Sequence, residues 1–197
     1  AYLLPSLLAR FRELHPDVTF DIQQSDSSGV LHALRTGRFD LGLTGMAAPD
    51  EDLVFTPLYQ DAMVLIAPNT PEFSAAKAQN MPLAALLQSH PLLLRENGSG
   101  SQRSADDFLR AAGLEPDALH VAARLNDQES IKNLVAAGLG LAIVSAVSVA
   151  RERDRGDLLL FPLADAARSF YIVTRRHDFL SPAARQFFDF SVRFYTE

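Results

Sequence analysis

Two similar α/β lobes are the fold this sequence predicts, and three observations predict it. Residues 126–145, NDQESIKNLVAAGLGLAIVS, read as a capped helix, a glycine stop at Gly138 and a buried strand. Residues 27–44, SSGVLHALRTGRFDLGLT, repeat that order with Gly37 as the stop. Neither stretch ends in a nucleophile, an acid or a phosphate loop, which an α/β enzyme usually places at such a junction. Amides and hydroxyls stand there instead, and these hold a ligand without reacting with it. Two such units imply two lobes with a cleft between them, and so a binding module without catalytic residues.

Composition narrows the classes further. A chain of 197 residues buries a substantial core, as one large domain or two small ones. Its hydrophobic content of 48% fits a soluble globular protein, and no apolar run reaches the length that spans a bilayer. With 18 basic against 24 acidic residues, the segment is a poor nucleic-acid binder on its own, because counterion release needs a basic face. The absence of cysteine excludes disulfides, thiolate catalysis and Cys-ligated zinc, and suits a reducing, cytoplasmic setting. Residues 3–14 are apolar only on a helical stripe and include Arg10, Arg12 and Glu13, which is not the pattern of a signal peptide.

The elements follow in order. Residues 2–14 form a helix with Leu3, Leu4, Leu7, Leu8, Phe11 and Leu14 on one face, Pro5 in its first turn and His15-Pro16 at its end. Residues 18–23 alternate Val18, Phe20 and Ile22 with polar residues, a half-buried edge strand. A helix over 29–36 stops at Gly37, and a strand over 39–44 leads to a polar turn. Two strands, 53–56 and 62–67, are separated by Pro57 and closed by Pro68. A loop over 69–80 precedes a helix at 83–88, a strand at 92–95 and a glycine-serine loop at 96–102. A helix over 105–112 carries Phe108 and Leu109 inward, with Ser104-Ala-Asp-Asp107 as its capping box. Then come strand 120–125, helix 128–137, strand 141–144, a helix over 146–155, strands 158–161 and 170–174, and an amphipathic helix over 182–195. Alternating helices and strands predict parallel sheets with covered faces. A chain that opens on a helix predicts a strand ahead of Tyr2 in a longer protein. Shifts near Pro68 and Val173 predict two crossings between lobes, with residues 1–67 and 174–197 in lobe I and 68–173 in lobe II.

Candidate contacts cluster at strand ends. In Arg95-Glu-Asn-Gly-Ser-Gly-Ser101, glycines permit tight turns and free amides at a helix start attract anions. Ser99, Gly100 and Ser101 are the expected binders, with Arg95 or Arg103 as cationic helpers. The loop is neither a Walker loop nor a dinucleotide fingerprint, for it lacks the Gly-Lys-Ser/Thr run and the third glycine. Asn126 and Gln128 open the next helix and face the same cleft, although capping by Asn126 or Asp127 also explains this segment. Thr44 and Gly45 end a strand in lobe I. Ser25–Ser28 reads foremost as a capping turn. The histidines at 15, 32, 90, 120 and 177 lack metal-ligand spacing, so no metal or cofactor is expected. Asp40 reads as a strand anchor, and Asp50-Glu-Asp52 as a solvated charge run.

Four stretches in order, the opening Tyr2-Leu-Leu-Pro-Ser-Leu-Leu-Ala-Arg-Phe with His15-Pro16, Leu34-Arg-Thr-Gly-Arg-Phe-Asp-Leu-Gly-Leu43, the Arg95–Ser101 loop and Leu134-Val-Ala-Ala-Gly-Leu-Gly-Leu-Ala-Ile143, resemble the effector-binding domain of LysR-type transcriptional regulators. The resemblance covers nearly the whole chain. It implies two Rossmann-like lobes of the type 2 periplasmic-binding-protein kind joined by two crossover strands, with a small effector between them. Thr44, Ser99, Ser101 and the 126–128 turn would face that effector, which hydroxyls and helix starts favour as an anion. The family also implies a winged helix-turn-helix domain and linker helix ahead of this segment, carrying all DNA contact. It implies a homodimer or homotetramer too, in which the first helix and residues 18–23 pack on a partner's second lobe near 146–155. The competing readings are a periplasmic-type solute-binding protein, which would carry a secretion signal, and an enzyme such as a dehydratase, which would need an acid or base in the cleft.

Overall fold

The computed structural model describes residues 2–195. The chain forms two compact units, Ala1–Gln60 with Arg168–Glu197 and Asp61–Ala167. It passes from the first to the second inside one long strand, β2 (Leu53–Pro68), and returns inside another, β6 (Leu158–Arg175). The crossings therefore fall after Gln60 and after Ala167, where the sequence reading drew them after 67 and after 173. Pro57 was expected to separate two strands and does not. It is exposed, and proline is tolerated in a strand where no ladder bond needs its nitrogen. The two short strands expected at 158–161 and 170–174 are likewise one.

In the first unit, α1 (Leu4–Leu14) buries Leu7 and Phe11 completely. The Phe11 ring meets Phe20, Phe187 and Phe190 edge-on at centroid distances of 6.0, 5.1 and 5.4 Å. Phe187 and Phe190 lie on the last helix, α8 (Pro182–Phe194), which Ser181 caps by accepting from the Ala184 N–H at 3.2 Å. Residues 18–23 are not a strand. Their alternation holds only in part, with Val18 and Phe20 half-buried, Thr19 and Asp21 exposed and Ile22 55% exposed; a strand also needs a ladder partner, and the described residues supply none. Packing of Phe20 in the aromatic cluster accounts for the pattern.

Helix α2 (Ser27–Arg35) starts on Asp26, whose carboxylate accepts the Gly29 N–H at 2.8 Å, and Gly37 ends it at φ +70°. It packs on β1 (Gly42–Thr44), which pairs antiparallel with the end of β6. The strand is shorter than the expected 39–44. The Leu34 and Phe39 carbonyls instead accept from the Arg175 guanidinium at 2.9 and 2.8 Å, with Asp40 at 3.5 Å from the same group. Leu31, Leu34, Leu53 and Val173 form the core here.

In the second unit, β3 (Leu92–Arg95) pairs in parallel with β4 (Val121–Leu125) and bridges in parallel to Leu141, just before β5 (Ala142–Ser145). Strand β5 then pairs antiparallel with β2, so the expectation of purely parallel sheets fails where a crossover strand joins. Residues alternate between two cores. Met63, Leu65, Leu92, Leu94 and Ile143 belong to one, and Val64, Ile66, Leu93 and Val144 to the other. Each such side chain contributes about 1.5–3 kcal/mol by leaving water, and covering both faces explains the near-continuous apolar runs.

Helices α3 (Pro71–Ala78), α4 (Leu83–Ser89), α5 (Gly100–Ala111), α6 (Gln128–Ala136) and α7 (Ala150–Arg155) complete this unit. The expected loop at 69–80 is mostly α3: Pro71 in the first turn and Glu72 beside it favour a helix start, and Phe73 and Ala76 bury one face. Helix α5 begins at Gly100, five residues before the expected start. Ser104 therefore lies inside it, donating to the Gly100 carbonyl at 3.1 Å, and no capping box forms. The expected helix at 146–155 divides into a 3₁₀ turn, Ala146–Val149, and α7.

Candidate functional site

Strands β4, β3 and the start of β5 run in one direction, so their carboxyl ends open on one edge of the second unit, where open α/β sheets hold ligands. The loop after β3 climbs through Gly98, at φ +95°, to Ser99. Ser99 occupies the N-cap position of α5 and is only 5% exposed, yet its hydroxyl makes no capping bond to its own helix. Its N–H donates to the Glu96 carbonyl at 3.3 Å. Gly100 is buried behind it and Ser101 half-buried. The first-turn amides of α5 point outward, since helix geometry gives them no partner in their own ladder.

After β4, Asp127 caps α6. Its carboxylate accepts the Glu129 N–H at 3.3 Å, the Ser130 N–H at 2.7 Å and the Ser130 hydroxyl at 2.6 Å. The Ser130 hydroxyl and then the Ser130 amide hold the Asp127 pKa below the ordinary carboxylate value. Of the two capping readings open in the sequence, the cap is thus Asp127. The Asn126 side chain is exposed.

Arg95 ties these loops together and is no free cation. Its guanidinium grips Glu96 with two bonds of 2.7 and 2.8 Å, and donates to Gln128 Oε1 at 3.3 Å and to the Asn126 carbonyl at 3.2 Å. Its own N–H donates to Gln102 Oε1 at 2.7 Å, while Gln102 Nε2 donates to Asp106 at 2.7 Å. Gln128 reaches on through Nε2 to the Ser148 hydroxyl at 3.4 Å, and that hydroxyl donates to the Ser145 carbonyl at 2.6 Å. Beneath lies Lys132, 4% exposed, with Nζ at 3.0 Å from the Ser148 carbonyl, 2.7 Å from Glu152 and 2.8 Å from Glu129. Buried Asp61 accepts from the Ser145 hydroxyl and from the Val147 N–H.

The structure therefore brings Ser99, Gly100, Ser101, Asn126 and Gln128 to one edge of the second unit, linked through Arg95. Thr44 and Gly45 belong to the first unit. Thr44 is 3% exposed, and its hydroxyl accepts the Met46 N–H and donates to the Met46 carbonyl, both at 3.0 Å. A Cβ at Gly45 would overlap the guanidinium of Arg168, a residue 8% exposed whose Cζ lies 4.0 Å from the centre of the Phe170 ring. Ser25–Ser28 is a capping turn around Asp26.

Sequence reasoning missed Gln102, Asp61, Ser148 and Lys132. Gln102 precedes Ala105 and Leu109 on the buried stripe of α5, and Lys132 sits between Ile131 and Val135 on that of α6; a polar residue on an apolar stripe was the available signal. His15 stacks on Phe11 at 4.3 Å, and His90 joins Glu72 at 3.0 Å. Among the described residues no three His, Asp or Glu side chains gather as a metal site, and no helix is long and apolar enough to cross a membrane.

Comparison with known proteins places this geometry. The chain is 31% identical over 191 residues to a probable RuBisCO transcriptional regulator of Cyanophora paradoxa, covering 94% of this chain and 58% of that protein. It thus spans little more than half the length of that relative. Among solved structures, the regulatory domain of Synechocystis CcmR in complex with 2-PG superposes with a TM-score of 0.85 at 22% identity, covering all of this chain and 92% of that one. The effector-binding domain of QuiR in complex with shikimate gives 0.81 at 19%, covering 100% and 91%. These likenesses show the fold: two α/β units of the type 2 periplasmic-binding-protein kind with two crossover strands. The model of the LysR substrate binding domain matches residues 1–195, and the chain belongs to that family.

Proposed function

We propose that this chain senses a small anionic effector on behalf of a LysR-type transcriptional regulator and binds it without turning it over. In the second unit, Ser99 and Ser101 hydroxyls, the Gly100 amide and the Asn126 and Gln128 side chains take the ligand. The carrying observation is Ser99: a nearly buried residue at a helix start whose hydroxyl does not cap its own helix. A hydroxyl and helix amides aimed at one place favour negative charge. The acids nearby are committed elsewhere, Asp127 to its cap and Glu96 to Arg95, which supports binding over acid–base catalysis. CcmR and QuiR were solved with the small molecules 2-PG and shikimate, in keeping with this reading.

In the whole protein, the effector would shift a homodimer or homotetramer between arrangements, and a winged helix-turn-helix domain would read this out on DNA in the cytoplasm. Such a shift requires different affinities for the two arrangements. Calorimetric titration of this chain with a panel of small carboxylates and phosphate esters tests the site. Each hydroxyl contributes about 0.5–1.5 kcal/mol, so the double variant Ser99→Ala/Ser101→Ala should bind its ligand several-fold to tens-fold more weakly, with no product formed by either protein. Undiminished affinity would remove the site assignment.

A further inference from the structure

Where β3 and β4 end together, with Arg95 in register with Leu125, one residue takes up the acceptors around it. The Arg95 guanidinium donates to both Glu96 carboxylate oxygens at 2.7 and 2.8 Å, to Gln128 Oε1 at 3.3 Å and to the Asn126 carbonyl at 3.2 Å. Its backbone N–H donates to Gln102 Oε1 at 2.7 Å. An arginine side chain donates and never accepts, so every partner it holds must turn an oxygen towards it. This fixes both glutamine amides. Gln102 Nε2 donates to Asp106 at 2.7 Å. Gln128 Nε2 donates at 3.4 Å to the Ser148 hydroxyl, whose own hydrogen goes to the Ser145 carbonyl at 2.6 Å. Flipping the Gln128 amide would set donor against donor at Arg95. An amide nitrogen carries two hydrogens, so Gln128 keeps a second N–H beyond its bond to Ser148 while its oxygen is engaged.

We infer that Arg95 is a specificity-determining positioning residue: it favours an anionic effector by occupying five acceptor atoms at the ends of β3 and β4, without touching the effector. The inference rests on the effector reading above and deepens it by naming what sets the preference for negative charge. The half-buried Glu96 lies next to the serine loop, and its carbonyl accepts the Ser99 N–H at 3.3 Å. Stripped of Arg95, its carboxylate is an uncompensated charge, and like charges brought together oppose binding. Paired, the two charges cancel, and the edge offers a ligand the Gln128 N–H and the Ser99 hydroxyl.

The test titrates this chain by calorimetry with shikimate, benzoate and glycerol phosphate as probes, and a melting curve checks that each variant is folded. Arg95→Gln should bind the probes that the parent binds at least about tenfold more weakly. Adding Glu96→Gln removes the unmasked carboxylate, and the double variant should return to within about threefold of the parent. A cation that touched the effector, or a clamp that only held the fold, predicts no such return, since the double variant lacks the same charge and the same bonds. Should Arg95→Gln be too unstable to titrate, the affinity of the double variant decides alone. Undiminished affinity in Arg95→Gln, or a double variant at least about tenfold weaker than the parent, overturns the inference and leaves the effector reading standing. A parent that binds none of the three probes overturns both.

Discussion

The Thr44–Gly45 turn and the Ser99–Ser101 loop look alike as sequence, each a small hydroxyl residue and a glycine at a strand end, yet they fold to opposite conditions. In the first unit the turn closes on itself: Thr44 exchanges two hydrogen bonds with Met46, and Arg168 fills the space that Gly45 vacates. In the second, the loop runs into a helix whose N-cap hydroxyl, that of Ser99, makes no capping bond. The difference teaches that a strand-end hydroxyl serves a ligand only where the backbone has not already used it. The backbone consumes it in the tight turn at Thr44 and spares it at Ser99, which follows Gly98 with its positive φ.

The comparison breaks most severely at the support beneath the open loop. Lys132→Met leaves Glu152 facing a hydrophobic neighbour and removes the Ser148 contact, and loss of one member of a buried ion pair costs about 3 kcal/mol. Urea denaturation should show that loss, and adding Glu152→Gln should recover part of it. The closed turn is next. Gly45→Ala pushes the Arg168 guanidinium off its place on Phe170, and such overpacking costs about 2 kcal/mol; equal melting temperatures for variant and parent would refute the packing argument.

The two hydroxyls give the most direct contrast. Thr44→Val strands the Met46 N–H and should cost about 1 kcal/mol, while Ser99→Ala should stay within about 0.5 kcal/mol and show its effect in ligand affinity instead. Equal stability losses would erase the distinction between them. The Asp127 cap yields the smallest effect and a pH signature. Its pKa is lowered in the folded chain, so its contribution is complete above the unfolded value of about 4 and is lost as pH falls through the lowered folded value. Asp127→Asn keeps a capping acceptor that does not titrate. The stability gap between the two proteins should therefore narrow from neutral pH towards pH 3.

Much of this was legible along the chain. The apolar stripes of α1, α6 and α8 and the glycine stops at Gly37 and Gly138 depend on contacts within one turn of helix, and their elements fell within a few residues of the expected bounds. Ser99 was legible in a glycine-serine loop before a helix, whereas Gly100 and Ser101, expected in that loop, form the first turn of α5. The failures involve partners distant in sequence. Residues 18–23 alternate as a strand does but have no ladder, α3 is held by Phe73 and Ala76 against the core, and Pro57 is carried by a strand long enough to ignore it. The start of α5 was misplaced because Ser104 resembles a cap locally, whereas the Gln102–Arg95 bond and the burial of Gly100 extend the helix back to the strand.

By itself the sequence determined the alternation of helices and strands, the polar character of the strand-end loops and the family, because these reside in periodicity and short motifs. The tertiary structure decided which loop is free. Arg95 reads as a cation for a ligand until Glu96, Gln128 and the Asn126 carbonyl surround it, and Thr44 reads as a donor until Met46 takes its hydroxyl. Availability of a polar group is set by what else lies within hydrogen-bond reach, and that is fixed only when distant segments pack together.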